Sequence, residues 1–259
     1  MRAHCSTVIA LFSLLFVSAQ VFSQASVPPS GTAPPQVSYN EKDSGHVGIA
    51  IKASTLGGGA EVAVRVTDRT NLRGGFNVIT YSRGFNEDGI PYDGQLNFRT
   101  FEAHYDVFPW ARSFHISGGI LVYAADPITA TAHVPANQSF SLGDATYFSD
   151  PADPVRGSGK VVFHRAAPTL TFGFGNLVPR GSNRHFSIPV EFGVAFQGSP
   201  KTTLGLSGSV CDAPAASCRS VPSDPAVQAQ IVSEQNKINS DLSFFKVYPI
   251  VSVGFGYKF

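Results

Sequence analysis

Residues 246–259 read KVYPIVSVGFGYKF and alternate without a break. Counting back, Phe259, Tyr257, Phe255, Val253, Val251, Pro249 and Val247 fall on one face. Lys258, Gly256, Gly254, Ser252, Ile250 and Tyr248 fall on the other. Successive side chains leave a strand on opposite sides, so a period of two over this length is a β-strand with one apolar face.

The same period recurs from His46 onward. Val47, Ile49 and Ile51 stand opposite Ala50 and Lys52. Val62, Val64 and Val66 stand opposite Glu61, Ala63 and Arg65. Leu72, Phe76 and Val78 stand opposite Arg73 and Asn77. Further on, Phe114, Ile116, Ile120 and Val122 oppose His115 and Ser117. Leu170, Phe172 and Phe174 oppose Thr169 and Thr171. Val190, Phe192, Val194 and Phe196 oppose Glu191 and Ala195. One segment is less regular. In QLNFRTFEAHYDVF, Phe101, Ala103, Tyr105 and Val107 share a face while Leu96 and Phe98 fall on the other, which predicts a bulge or the end of an apolar band near Arg99.

The connections divide into two kinds. TDRTN, PWARS and VPRGSNR are short, whereas NEDGIPYDG, 126–164 and 198–245 are longer. The last long connection holds Asp224 as an N-cap and Pro225 at the first helical position, with Val227, Ile231, Ile238 and Leu242 at helical spacing. A short amphipathic helix is expected there.

A soluble sandwich also alternates, so the contents of the two faces decide between the alternatives. Only 14% of the chain is charged and 43% is hydrophobic, with 21 Phe and 25 Gly. The charges that fall in strands share the polar faces: Lys52, Glu61, Arg65, Arg73, Glu102, Asp106, His115, Glu191 and Lys258. In a membrane barrel the Phe and Val residues face lipid and these charges line the interior, where they pair. Aromatics near the PWARS turn (Phe101, Tyr105, Phe108 and Trp110) suit an interfacial girdle. MRAHCSTVIALFSLLFVSAQVFSQA has the layout of a secretory signal peptide, assigned to residues 1–23, followed by a Pro/Ser-rich linker over 24–44 and a barrel over 45–259.

The alternating strands, the unequal connections, the export signal and the terminal Phe259 together resemble the small bacterial outer-membrane β-barrel superfamily of the OmpA type. The resemblance implies an all-β transmembrane antiparallel barrel of about eight strands in the outer membrane. Phe255, Tyr257 and Phe259 would then signal to the barrel-assembly machinery through the C-terminal strand. A monomer surrounded by outer-membrane lipid, without a cofactor, is expected.

The whole chain has 19 Lys and Arg against 18 Asp and Glu; loss of residues 1–23 removes Arg2 and leaves 18 against 18. Such a balance argues against a nucleic-acid partner, which calls for a basic excess. Cys211 and Cys218 lie close in SVCDAPAASCRS and, in an exported chain, suggest a loop disulfide; two free thiols or a metal pair fit less well, because no other ligand cluster adjoins them. GSGK at 157–160 lacks the spacing of a phosphate loop. His115 and Ser117 are spaced His-x-Ser, as in outer-membrane lipid A deacylases, but His115 falls beside a short turn, away from the outer leaflet. No catalytic, cofactor or metal residue is assigned. The expected function is a non-enzymatic outer-membrane barrel acting structurally or through its long loops. A narrow porin-like channel for small solutes is the alternative, and an outer-leaflet lipid-modifying enzyme the distant one.

Overall fold

The computed structural model describes residues 46–110, 113–125, 128–179, 184–214 and 217–259. The expected signal peptide and linker lie outside these residues.

Eight strands make the barrel: β1 (Val47–Ser54), β2 (Gly57–Thr67), β3 (Thr70–Glu87), β4 (Ile90–Val107), β5 (Phe114–Tyr123), β6 (Ala166–Phe174), β7 (Val190–Phe196) and β8 (Val247–Lys258). Each pairs antiparallel with the next, and β8 returns to β1 with Tyr257 opposite Ile49. The ring is closed, so within it the strands leave no free edge; beyond Val78 β3 pairs with β4 alone. Closure lets the strands of the ring satisfy one another's backbone groups, which is what a membrane interior demands. Among the described residues no helix is long and apolar enough to cross a membrane.

The alternation sorts the side chains as expected. Ile51, Val62, Phe76, Phe101, Phe172 and Val253 are exposed on the outside, while Glu61, Arg73, Glu102, Asp106, His115 and Glu191 are buried inside. At the end where the short turns lie, outward aromatics touch in series. Trp110 meets Phe114, which meets Phe174, and Phe186 meets Phe255 and Tyr257. This is a lipid-facing belt with an aromatic girdle. With a polar interior inside a closed antiparallel ring, it is the architecture of a bacterial outer-membrane barrel.

Two expectations are corrected, and the alternatives at Arg99 are decided. Of these alternatives, the structure shows no bulge in β4 and the end of the apolar band: the outward side chains change there from Tyr105 and Phe101 to Asn97 and Gln95. β4 pairs with β3 in one register from Thr70 opposite Val107 to Glu87 opposite Ile90, and Phe98 points into the ring; the register shift lies instead between Arg65 and Thr67, where β2 meets β3. NEDGIPYDG is not a loop. Asp88 and Gly89 alone turn the chain, at φ 52° and 81°, as a two-residue turn of the left-handed kind requires. Phe108 does not join the girdle: it is 1% exposed and faces inward.

Beyond the belt, at the end opposite the short turns, the long connections fold into a cap. Strands Ile128–His133, Arg156–Val162 and Lys201–Ser207 add in turn to the outer half of β4. A second sheet of Ser139–Leu142, Ala145–Ser149, Ser209–Cys211 and Cys218–Ser220 accompanies helix α1 (Pro225–Asp241). Ile90, Val134, Leu142, Tyr147, Val155, Val210, Val221, Val227 and Ile231 form the cap's own core. Asp224 caps α1 by accepting from the Ala226 and Val227 amides. Cys211 and Cys218 are joined in a disulfide across the hairpin of the second sheet.

Candidate functional site

The lumen is the place where polar groups converge, and three layers of side chains fill it. Along β4 the inward series runs Phe98, Thr100, Glu102, His104, Asp106 and Phe108, so one strand samples all three.

The layer at the short-turn end is apolar and comes partly from outside the barrel strands. After β6 the chain folds back under the ring and places Leu177 and Val178 against Ala50 and Ala63. Asn71 Nδ2 donates to Asn176 Oδ1 at 2.9 Å, and the Val178 amide donates to the same oxygen at 2.9 Å, which fixes the fold-back. The contact is close enough to exclude side chains from the wall. A Cβ at Gly48 would lie 2.3 Å from the Leu177 carbonyl oxygen, and one at Gly256 would lie 2.3 Å from Leu177 Cδ2. Phe108 completes this floor, its ring 5.3 Å from the His115 imidazole. Lys258 Nζ donates to the Pro179 carbonyl at 3.2 Å.

The middle layer is ionic. Arg73 is fully enclosed. Its Nη1 donates to Glu61 Oε2 at 3.2 Å and to Glu191 Oε2 at 2.7 Å. Its Nη2 reaches Asp106 Oδ1 at 3.1 Å and the second oxygen of Glu191. The planar guanidinium thus grips Glu191 with two parallel bonds, a geometry that an ammonium cannot reproduce. Lys52 joins Glu61 at 3.2 Å and also Glu102, whose other oxygen accepts from Asn77 Nδ2 at 3.3 Å. His115 Nε2 lies 3.0 Å from Glu191, and Ser117 donates to Asp106 at 2.7 Å. Four carboxylates therefore share two basic side chains, Arg73 and Lys52, and Asn77, Ser117 and His115 add further polar partners.

The third layer, toward the cap, is again apolar. Leu56, Phe98, Leu121, Tyr123, Ala167, Ala195 and Ile250 pack together with Leu96, Phe163 and Tyr248 at their edge. The two tyrosine hydroxyls are satisfied at the rim. Tyr123 donates to Gln197 at 2.6 Å, and Tyr248 donates to the Thr55 carbonyl at 2.8 Å.

Of the nine charged residues expected inside, Lys52, Glu61, Arg73, Glu102, Asp106, His115 and Glu191 form this one network. Lys258 and the half-buried Arg65 sit at the short-turn end. Parity alone also places His104 inside, between Glu102 and Asp106, and sequence reasoning passed it over. Its Nε2 lies 3.0 Å from the Thr169 hydroxyl.

Outside the lumen the cap carries two open clefts. One, of about 560 Å³, lies on the polar outer face between Asp93, His133, Arg156 and Ser207. The other, of about 570 Å³, lies on the inner face with Ile90, Tyr92 and Leu204 below and Glu87 and Glu234 among its walls.

No family model and no curated protein matches the chain. Two solved structures are similar to it. Acinetobacter baumannii CarO aligns with a TM-score of 0.48 and 21% identity over 82% of this chain and 97% of that one. Acinetobacter baumannii CarO2 aligns with a TM-score of 0.49 and 20% identity over 82% of this chain and 98% of that one.

Proposed function

We propose that this protein is a closed, non-enzymatic outer-membrane barrel, a monomer of the OmpA type, that anchors a folded cap for contacts at the cell surface. The observation that carries the reading is the filled lumen. An ionic layer lies between two apolar layers, and an eight-stranded ring is only just wide enough for side chains to fill. A conducting pore needs a continuous polar path, and the layer of Phe98, Leu121, Tyr123 and Ile250 interrupts it. The cap supports the second half of the reading, because its core, disulfide and capped helix make it a fixed surface.

Catalysis by the His-x-Ser pair finds no support in the contacts. Ser117 is engaged by Asp106 and His115 by Glu191, and both acids are bound to Arg73. A nucleophile needs its base within hydrogen-bond reach and free to take the proton. Assembly through β8 fits the outward series ending in Phe255, Tyr257 and Phe259.

Single-channel recording in planar bilayers tests the reading. The purified protein should insert and give no resolved conductance steps. Stable, reproducible steps would mean that the layers open and that the narrow-channel function is correct.

A further inference from the structure

The exterior face of the barrel continues past the lipid belt without turning over. β3 and β4 run on above it, and strands Ile128–His133, Arg156–Val162 and Lys201–Ser207 extend the same wall. Residues opposite one another in antiparallel strands share a face, so the registers place each outward side chain. The outward side of β4 changes at Arg99 from Tyr105 and Phe101 to Asn97, Gln95 and Asp93. Thr202 stands level with Leu96, through Val161 and Ile128, and Lys201 precedes it by one residue on the belt side. Lys160 stands level with Gln95, through Thr129. Arg156 and His133 stand level with each other at the outer end of the face, where they line the cleft of about 560 Å³.

Arg99, Lys160, Lys201, Arg156 and His133 are all exposed. Against them, Asp93 is the one acid among the described outward positions of this face. Along the strand direction, at about 3.4 Å per residue, the row of Lys160 lies four residues or about 14 Å beyond that of Arg99, and Lys201 falls between the two rows. Ser82, Thr129 and Thr203 share the row of Lys160 and add hydroxyl donors.

The geometry points to a binding surface for phosphate-bearing lipid headgroups of the leaflet that adjoins the cap. Acyl chains would lie on the belt below, and their phosphates would meet Arg99, Lys201 and Lys160. Two things on the surface select this occupant. The basic face is continuous with the lipid belt, and its charge is complementary to phosphate. The proposal rests on the membrane placement of the barrel and is independent of whether the lumen conducts.

The test uses the full-length folded protein in nanodiscs of zwitterionic lipid doped with either bis-phosphorylated or dephosphorylated lipid A. Lipid retained on the barrel is counted by native mass spectrometry, with heat-modifiable migration as the check on folding. The wild type should retain the phosphorylated form preferentially. Lys160→Gln with Lys201→Gln should weaken that retention about thirty-fold, the equivalent of about 1 kcal/mol per basic residue at 1.4 kcal/mol per tenfold. Lys160→Arg with Lys201→Arg, which keeps the charge, should retain it as the wild type does. Excess inorganic phosphate should not displace the lipid, because the belt contributes to holding it. Equal retention of the two lipids by the wild type, or unchanged retention by the folded Gln variant, would overturn the proposal. Displacement by free phosphate would equally overturn it, since the site would then be one for a soluble anion.

Discussion

Arg73 holds the middle of the lumen together. It is the shared partner of Glu61, Asp106 and Glu191, and nothing else described reaches all three. Arg73→Met leaves those carboxylates enclosed with less compensation, and removing one partner of a buried ion pair costs about 3–5 kcal/mol. Denaturant titration of the protein refolded into lipid vesicles should read a loss in that range. Arg73→Lys should recover part of it, because an ammonium keeps the charge but not the two-toothed grip on Glu191. On the opposite face of the wall it is an added charge that destabilises. Val62 points outward near the middle of the belt, so Val62→Arg should cost about 2–4 kcal/mol in the same titration. Thr203→Arg, exposed on the cap, should stay within about 0.5 kcal/mol. Inside and outside were legible at this scale wherever a strand kept its parity, as for Glu61 beside Val62. Where a residue was misplaced, its neighbourhood in the sequence outweighed its parity. Phe108 looked like girdle because it lies among aromatics near a turn, yet it has the inward parity of Asp106 and closes the floor.

Among the elements, the outermost cap strand shows how an exposed edge is covered. Lys201–Ser207 ends its sheet, and an open edge invites pairing with another chain. Helix α1 lies along it. Asn239 accepts from the Thr202 amide at 2.7 Å, and Gln235 accepts from the Leu204 amide at 3.2 Å. Residues four apart share a helix face, so the two side chains match two edge amides that point the same way. Gln235→Ala with Asn239→Ala should remove about 1 kcal/mol per bond. Hydrogen exchange should then quicken at Thr202 and Leu204 while amides in β1 and β8 keep their protection; unchanged exchange at both would show that the helix does not guard the edge. The helix itself was readable from Asp224, Pro225 and the spacing of Val227 and Ile231. The cap sheet was not. ITATAH, RGSGKVV and KTTLGLS are rich in Gly, Ser and Thr, and their apolar face is completed by the helix and the second sheet. The Asp88-Gly89 turn was a readable hairpin signal, hidden by the polar residues on both sides of it.

For the whole molecule, the closed ring followed from alternation, but the filling of the lumen did not. The floor depends on Leu177 and Val178, which belong to a connection, and on glycines at 48 and 256 whose purpose appears only when the fold-back presses on β1 and β8. One division of the surface governs the whole molecule: an apolar belt that meets lipid, ending where the cap begins. Spin labels attached singly at Val247, Val251, Val253 and Phe255 on β8, and at Ser158 and Thr203 on the cap, measure that division in reconstituted vesicles. The β8 labels should be relaxed strongly by oxygen, which concentrates in the acyl chains, and weakly by a water-soluble nickel chelate, while the cap labels should show the reverse. A nickel effect at Val251 and Val253 as large as that at Thr203 would contradict the account, because the belt would then face water.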